Sequence, residues 1–584
     1  MFLKMAIDPL CLCVVTGCIP EWLKGTLVRI GPGMFTVGDT AYNHWFDGMA
    51  LMHSFAFRGG DVMYRSRYLR GDTYTANMEA NRIVVSEMGT MAYPDPSKNI
   101  FSKAITFLSH TIPDFTDNCG NNIIRYGEDY YATSETNYIR KIDPETLETQ
   151  DKVDYQKYLA VNLVTSHPHY DKEGNSYNIG TKIAEKGKTK YTIFKVPPIA
   201  KDVPKGTPAL KNLEVLCSVP CRSLLTPSYY HSFGMTDNYI IFIEQPLKLD
   251  ILKMATAYMR HTNWASCLKY NPEDDTLIHL IDRKTQKPVE TRYYTDAMVV
   301  YHHVNAFEED GHIVFDIIAY DDNSLYDLFY LNSLRQEINE SGSSKKSIPI
   351  PKYKRFVLPL QIDKASVGED LVKLKYTTAT AVKEKEKLLL CQPEILCEGL
   401  DLPRINYNFN GKKQKYVYLT CSEKPPVPTK VTKFDTETKK MVHWEEQGCW
   451  PSEPVFVANP NATEEDDGVV LATVISMDSQ KSDFLLVLEA KTFTEIARAS
   501  VNAQLHMDMH GYFIFQDRVQ LKWYYDSCWG VRWRSGLDLG PAVRWVWGSS
   551  PAWGALRWTG VPSWVCPLPL WPYALCYRVG SGSP

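Results

Sequence analysis

Four of the fourteen histidines stand in settings that could carry chemistry: Ser166-His167-Pro168-His169, Tyr229-Tyr230-His231-Ser232, Tyr301-His302-His303-Val304 and Met509-His510-Gly511-Tyr512. A neutral imidazole is the commonest side-chain metal ligand and can also carry a proton near neutral pH. A single histidine in a β-rich chain is more often a hydrogen-bonded structural residue, so convergence of several is what would signal a metal centre. The separations of 64, 71 and 208 residues exclude a local helical metal motif. Any such centre has to be assembled by the fold from distant segments.

The elements that could do this are strands. From about residue 25 to 515 the chain runs through short β-branched and aromatic stretches such as DVMYRSRY (61–68), YIIFIE (239–244) and HIVFDIIA (312–319), separated by Gly, Asn, Asp and Pro. That texture predicts an all-β sandwich, barrel or propeller. An apolar residue, an acid and a threonine three places after the acid recur at Asp143/Thr146, Asp282/Thr285, Asp435/Thr438 and Glu489/Thr492. Each reads as a hairpin turn, in the three Asp copies with the acid accepting bonds from the backbone N–H groups ahead of it. The acids lie 139, 153 and 54 residues apart. Those intervals suggest three, three and one repeats of about 50 residues, the length of a four-stranded propeller blade. Lid loops at 99–118 and 332–352 absorb some of the length, leaving six to eight blades. In a propeller the inner strand of every blade points at one axis, where distant histidines would meet.

Composition bounds the alternatives. With 584 residues, 44% of them hydrophobic and a net charge of −4, the chain can bury a large core and offers no basic surface for nucleic acid. The fourteen cysteines are scattered without any C-x-x-C, so neither a zinc site nor a disulfide framework is indicated, and a reduced, cytosolic protein is expected. The apolar stretch near Met1 is broken by Asp8-Pro9, which argues against a signal peptide, and no apolar run is long enough to predict a spanning helix.

Several motifs, in order, carry a specific resemblance: GTLVRIGPG (25–33), NHWFDG (43–48), SETN (134–137), TSHPHY (165–170), SYYHSFG (228–234), YHHVN (301–305) and HGYF (510–513). Over about residues 15–515 the chain resembles the carotenoid cleavage oxygenase family, which includes the retinal-pigment-epithelium isomerohydrolase. GTMAYPD (89–95), DILKMATA (250–257), TTATAV (377–382) and His506-Met-Asp-Met-His510 are most similar to the vertebrate branch that cleaves β-carotene centrally. The resemblance implies a seven-bladed β-propeller with a loop or lid over the metal, and ferrous iron, Fe(2+), held by His167, His231, His302 and His510. His169 and His303 are then structural. It further implies that Glu135, Glu453 and Asp401 accept hydrogen bonds from the ligand imidazoles. Four neutral imidazoles suit Fe(2+), leave positions for dioxygen and need such acceptors. Asp401 is a departure, since relatives more often carry Glu there. Being one methylene shorter, it is expected to make a longer or water-bridged bond.

The implied substrate is a long apolar polyene, which needs an aromatic- and Met-lined tunnel. Phe46 and Tyr229 are candidates to line it. Delivery from lipid implies peripheral membrane contact, for which Phe101, Ile105, Phe107 and Leu108 match the family's membrane-contacting loop. Ser97 stands where some relatives have Cys, which excludes thiol lipidation at that position. The expected reaction is cleavage of the central 15,15′ double bond of β-carotene by O2 to two retinal molecules. Two alternatives are eccentric 9′,10′ cleavage and an inert carotenoid- or retinoid-binding propeller. The last is raised by an atypical leader (1–15), by Ile30 in place of the usual Asn of R-N-G-P-G, and by the tail at 516–584. The final 68 residues hold nine of the fourteen Trp and no Glu or Ile. Such GC-rich-codon composition reads as translated intron or frame-shifted sequence, with a Trp-rich membrane-surface tail as the alternative.

Overall fold

The computed structural model describes residues 10–92, 115–185, 188–199, 207–257, 262–339, 349–422 and 425–516. Phe101, Ile105, Phe107 and Leu108, and the tail from residue 517, lie outside these. Among the described residues there are seven sheets of four or more strands, arranged as the blades of a propeller.

Blades 2 to 7 follow chain order, each beginning near the axis. Their first strands are Asn122–Tyr126, Leu163–Val164 with His169–Tyr170, Gly234–Met235, Val299–Glu309, Leu400–Arg404, and Cys449–Pro451 with Val455–Ala458. Blade 1 is composite. The closing strand His510–Phe515 pairs antiparallel with Gly25–Met34, which continues outward to Met49–Arg58, Asp61–Tyr68 and Cys11–Leu12. The N-terminal segment also closes the ring from outside, because Val14–Gly17 pairs with the outer strand Thr494–Ser500 of blade 7. Among the described residues, sheet structure thus includes Cys11–Leu12 and Val14–Gly17, whose backbone groups find partners on two blades.

Both faces of each blade are buried, which explains why many strands are continuously apolar rather than alternating. His312–Tyr320 is buried at all nine positions. Seven apolar clusters occupy the successive interfaces, from that between blades 7 and 1 (Leu27, Phe55, Val487) round to that between blades 6 and 7 (Tyr418, Val431, Leu486). Emptying one of these positions, as in Phe315→Ala between blades 4 and 5, would cost about 3–5 kcal/mol. Ile30 belongs to the interface between blades 1 and 2 with Ala50, Met52 and Ile123, and pairs across from His510.

The four acid-threonine turns occupy one structural position. Each joins the third to the fourth strand of its blade, in blades 2, 4, 6 and 7. Asp143, Asp282 and Asp435 accept two backbone N–H bonds each at 2.8–3.1 Å, and Glu489 accepts from Thr492. The residues four places on, Leu147, Gln286, Lys439 and Phe493, all have φ of 57–58°. The repeat is thus geometric, but the spacing of 139 and 153 residues covers two blades each, not three. Excursions lengthen the blades, notably at blade 4, which recruits Leu388–Gln392 and Thr380–Lys385 onto its edge. No helix among the described residues is long and apolar enough to cross a membrane.

Candidate metal centre

The four sequence-separated histidines converge at the axis. His167 lies between the two inner segments of blade 3 and His231 just before the inner strand of blade 4. His302 is in the inner strand of blade 5, and His510 opens the closing strand of blade 1. One ring nitrogen from each lies within 4.8 Å of all the others. His302 sits between two register shifts in its pairing with His312–Tyr320, and such bulges re-aim side chains.

The remaining three blades supply carboxylates. Glu135, following the second strand of blade 2, accepts from Nδ1 of His231. Asp401 of blade 6 is 2.7 Å from Nδ1 of His302, and Glu453 of blade 7 is 2.8 Å from Nδ1 of His510. A carboxylate at Nδ1 keeps the proton there and leaves the Nε2 lone pair facing the axis. His302 Nε2 and His510 Nε2 are buried without any protein partner, while Nε2 of His167 and of His231 face each other at 2.8 Å. Orphaned inward acceptors of this kind are what a bound cation would satisfy. A donor set of nitrogen alone suits a borderline first-row transition ion rather than Mg or Ca.

Each carboxylate is itself oriented. Tyr229 donates its hydroxyl to Glu135 at 2.7 Å and Tyr320 donates to Asp401 at 2.6 Å. Glu453 is held by Arg404 at 3.3 Å and by the Gly511 N–H at 3.1 Å. Burial works against ionisation of Glu453, yet Arg404, His510 and Arg29 outweigh it and hold the carboxyl at about 2. Burial, reinforced by the neighbouring imidazoles, keeps His167 well below its ordinary value. His510 is pushed down to about 4 by burial despite the pull of Glu453. Both rings are therefore neutral near pH 7.

The expected long or bridged contact of Asp401 does not occur: the bond is direct. The register of its strand shifts between Asp401 and Arg404, and Leu402 takes φ of 52°, a region that side chains rarely adopt. This bulge, with Leu402 N–H donating 2.7 Å to Asp401 Oδ1, carries the shorter side chain to the imidazole. His169 and His303 turn away from the axis. His169 bonds the Phe233 carbonyl at 2.8 Å and the Tyr407 hydroxyl at 3.2 Å, and His303 bonds Ser232 Oγ at 3.0 Å.

A cavity of about 330 Å³ opens beside His231, His302 and His510. Phe46, Tyr229, Met254, Trp264, Tyr326 and Phe329 are among its walls. Phe46 also packs on Phe329 with ring centroids 4.8 Å apart, and the bond from Tyr229 to Glu135 makes it more than a lining residue. Tyr320, Arg404, Arg29 and Asp508 were not singled out as site residues by sequence. Arg404, Arg29 and Asp508 carried a local signal, their places in D-L-P-R, GTLVRIGPG and His506-Met-Asp-Met-His510, and Tyr320 carried none.

A seven-bladed propeller with four imidazoles on its axis and an aromatic cavity beside them defines a metal-dependent class of protein. The chain belongs to the retinal pigment epithelial membrane protein family, whose sequence profile matches residues 4–515. It is 63% identical over 503 residues to β,β-carotene 15,15′-dioxygenase of Gallus gallus, covering 86% of this chain and 95% of that protein. With the Homo sapiens protein of the same name it shares 62% over 502 residues, covering 86% and 91%. Identity to the mitochondrial carotenoid-cleaving dioxygenase of Homo sapiens is 42% over 515 residues, covering 86% and 87%. The cobalt-substituted apocarotenoid oxygenase of Synechocystis shares the fold with a TM-score of 0.68 at 21% identity, over 88% of this chain and 97% of that one.

Proposed function

We infer that this chain is an iron-dependent dioxygenase that cleaves the central 15,15′ double bond of β-carotene, consuming one O2 and releasing two molecules of retinal. The observation that carries the reading is the contrast in identity. It stands some twenty percentage points closer to the relatives named for 15,15′ cleavage than to the carotenoid-cleaving relatives. The geometry supports the same chemistry. His167, His231, His302 and His510 are the candidate iron ligands, and Fe(2+), when bound, supplies the activation of dioxygen.

The rest falls to the protein. Glu135, Asp401 and Glu453 accept from Nδ1 of His231, His302 and His510 so that their Nε2 atoms face one point beside His167, and Tyr229, Tyr320 and Arg404 fix those carboxylates in turn. Phe46, Tyr326 and Phe329 offer flat apolar walls to a polyene and exclude water. Registration of one double bond at the axis by such walls is where selectivity between bonds would arise. The products balance as two C20 aldehydes, each carrying one oxygen atom.

A carotenoid arrives from lipid, and the cavity wall formed by Leu249 and Met254 adjoins exposed apolar residues. Leu252 is 59% exposed, and Leu225, whose carbonyl accepts from Ile251 N–H, is exposed beside Leu224. This arrangement supports a reading of peripheral contact with a lipid surface. A cytosolic location is in keeping with the described cysteines, all of them free thiols.

The test is anaerobic loading with ferrous iron, incubation with β-carotene micelles in air and chromatography of the products, beside His231→Ala. Retinal alone, absent from the variant, is expected. Long apocarotenals would move the cut to the 9′,10′ bond, and bound iron without turnover would leave a binding protein.

A further inference from the structure

The joint between blades 7 and 1 contains buried charges behind the His510 corner of the metal centre. Arg29, in the strand Gly25–Met34, has a fully buried side chain. Its Nε donates to Asp508 Oδ2 at 3.0 Å, and its Nη1 donates to the backbone carbonyl of Glu453 at 2.8 Å. Asp508 is 2% exposed and lies two residues before His510; its Oδ2 also accepts from Thr473 of blade 7 at 2.8 Å. Arg29 therefore grips, in one planar fork, the segment that delivers the ligand His510 and the residue that orients it.

Two glycines make this possible. Arg29 pairs across from Gly511, where a Cβ would come within 2.9 Å of the Arg29 side chain. A Cβ on Gly31 would meet the Met507 carbonyl and Asp508 Cα at 2.8–2.9 Å, so its absence lets the 507–509 segment lie against the strand. That segment is then pinned by the Met509 N–H bond to the Ile30 carbonyl at 2.9 Å. An apolar side chain at position 29 could seal such a joint at no cost in desolvation, since buried ion pairs contribute little net stability. A fork with five fixed donors instead specifies direction.

We propose that Arg29 is a positioning residue of the metal centre, tying Asp508 to the Glu453 carbonyl across the blade 7–blade 1 joint and so fixing where His510 points. The proposal rests on the reading of the four histidines as metal ligands. Its consequence is that the metal reports on Arg29 although no atom of Arg29 reaches the axis.

The test is cobalt(II) loading of the full chain, reading the ligand-field absorption bands and the affinity by chelator competition for wild type, Arg29→Gln and Arg29→Lys. Arg29→Gln is expected to lose affinity by about 10–100-fold, as removal of outer partners of metal ligands does, with displaced bands. Arg29→Lys can keep a single donor toward Asp508 and should fall between the two. Folded Arg29→Gln with wild-type bands and affinity overturns the proposal. Should Arg29→Gln not fold, Asp508→Asn keeps the packing and removes the anion. A smaller loss of affinity with displaced bands then supports the proposal, and unchanged bands and affinity overturn it. A wild-type chain that takes up no cobalt would overturn the metal reading and this proposal together, whereas bound cobalt indifferent to Arg29 overturns this proposal alone.

Discussion

The corners of the site at His302 and His510 meet the same requirement by different means. His302 lies within the eleven-residue strand Val299–Glu309, and its acceptor Asp401 comes from the next blade in the chain, steadied by the neutral hydroxyl of Tyr320. His510 is the first residue of the strand that closes the ring, and its acceptor Glu453 is steadied by Arg404, with Arg29 and Asp508 behind. Where consecutive blades are already stacked, the sheet itself fixes the imidazole and a hydroxyl suffices. Where the two ends of the domain meet, nothing in the local chain sets their relation, and directional charged bonds do. The His510 corner should accordingly be the more sensitive to charge and to acid, and the His302 corner to geometry.

Acid should expose this difference most strongly. Burial holds His44, His169, His506 and His510 at about 4 and His303 at about 3, below the ordinary value near 6.5. The folded metal-free protein thus binds fewer protons than the unfolded chain in that window. Its stability is complete above pH 6.5 and falls as pH drops toward 4, by up to about 1.4 kcal/mol per pH unit for each such histidine. Glu453, held at about 2, adds its loss only below about pH 4.5. Denaturant midpoints measured from pH 7.5 to 4.5 should decline steeply, and a flat profile would contradict neutral burial of these rings.

Next in size is Glu453→Ala, which strands Arg404 and leaves His510 without its acceptor. A loss of about 3–5 kcal/mol in unfolding free energy is expected, together with loss of retinal formation. Equal stability of Glu453→Ala and Asp401→Ala would erase the distinction between the corners. Asp401→Asn keeps the geometry and removes the anionic acceptor, and should weaken metal binding by about 10–100-fold in chelator competition with little change in unfolding. Asp401→Glu should recover no affinity, because the bulge already brings Asp within 2.7 Å of His302 and a longer side chain must buckle. The smallest effect belongs to Asp435→Ala, in an outer turn far from either corner. It removes the oxygen that accepts from two N–H groups at a cost of about 1 kcal/mol, seen in the thermal midpoint with metal affinity unchanged.

Much of this was legible beforehand. Strand texture announced an all-β chain, the acid-threonine turns announced a repeat, and the histidine motifs named the residues that meet at the axis. Spacing misled where excursions intervene: 139 residues from Asp143 to Asp282 span two blades, because insertion length carries no periodicity. Asp401 was misjudged because a bulge is a property of strand pairing, not of one strand's residues. Tyr320 gave no signal, and the motifs that contain Arg29 and Asp508 did not say what those side chains face, since a tyrosine, arginine or aspartate has the same local appearance whether it faces solvent, core or a ligand.

The sequence by itself determined which groups are available: four imidazoles, three carboxylates, aromatic walls, and glycines at 31 and 511 where backbone must approach closely. Only the tertiary structure decided which nitrogen of each ring faces the axis and which charges tie the ends of the ring together. These depend on pairings between residues hundreds of positions apart, such as Arg29 with Asp508 and Glu453, and local preference in a strand does not encode its distant partner.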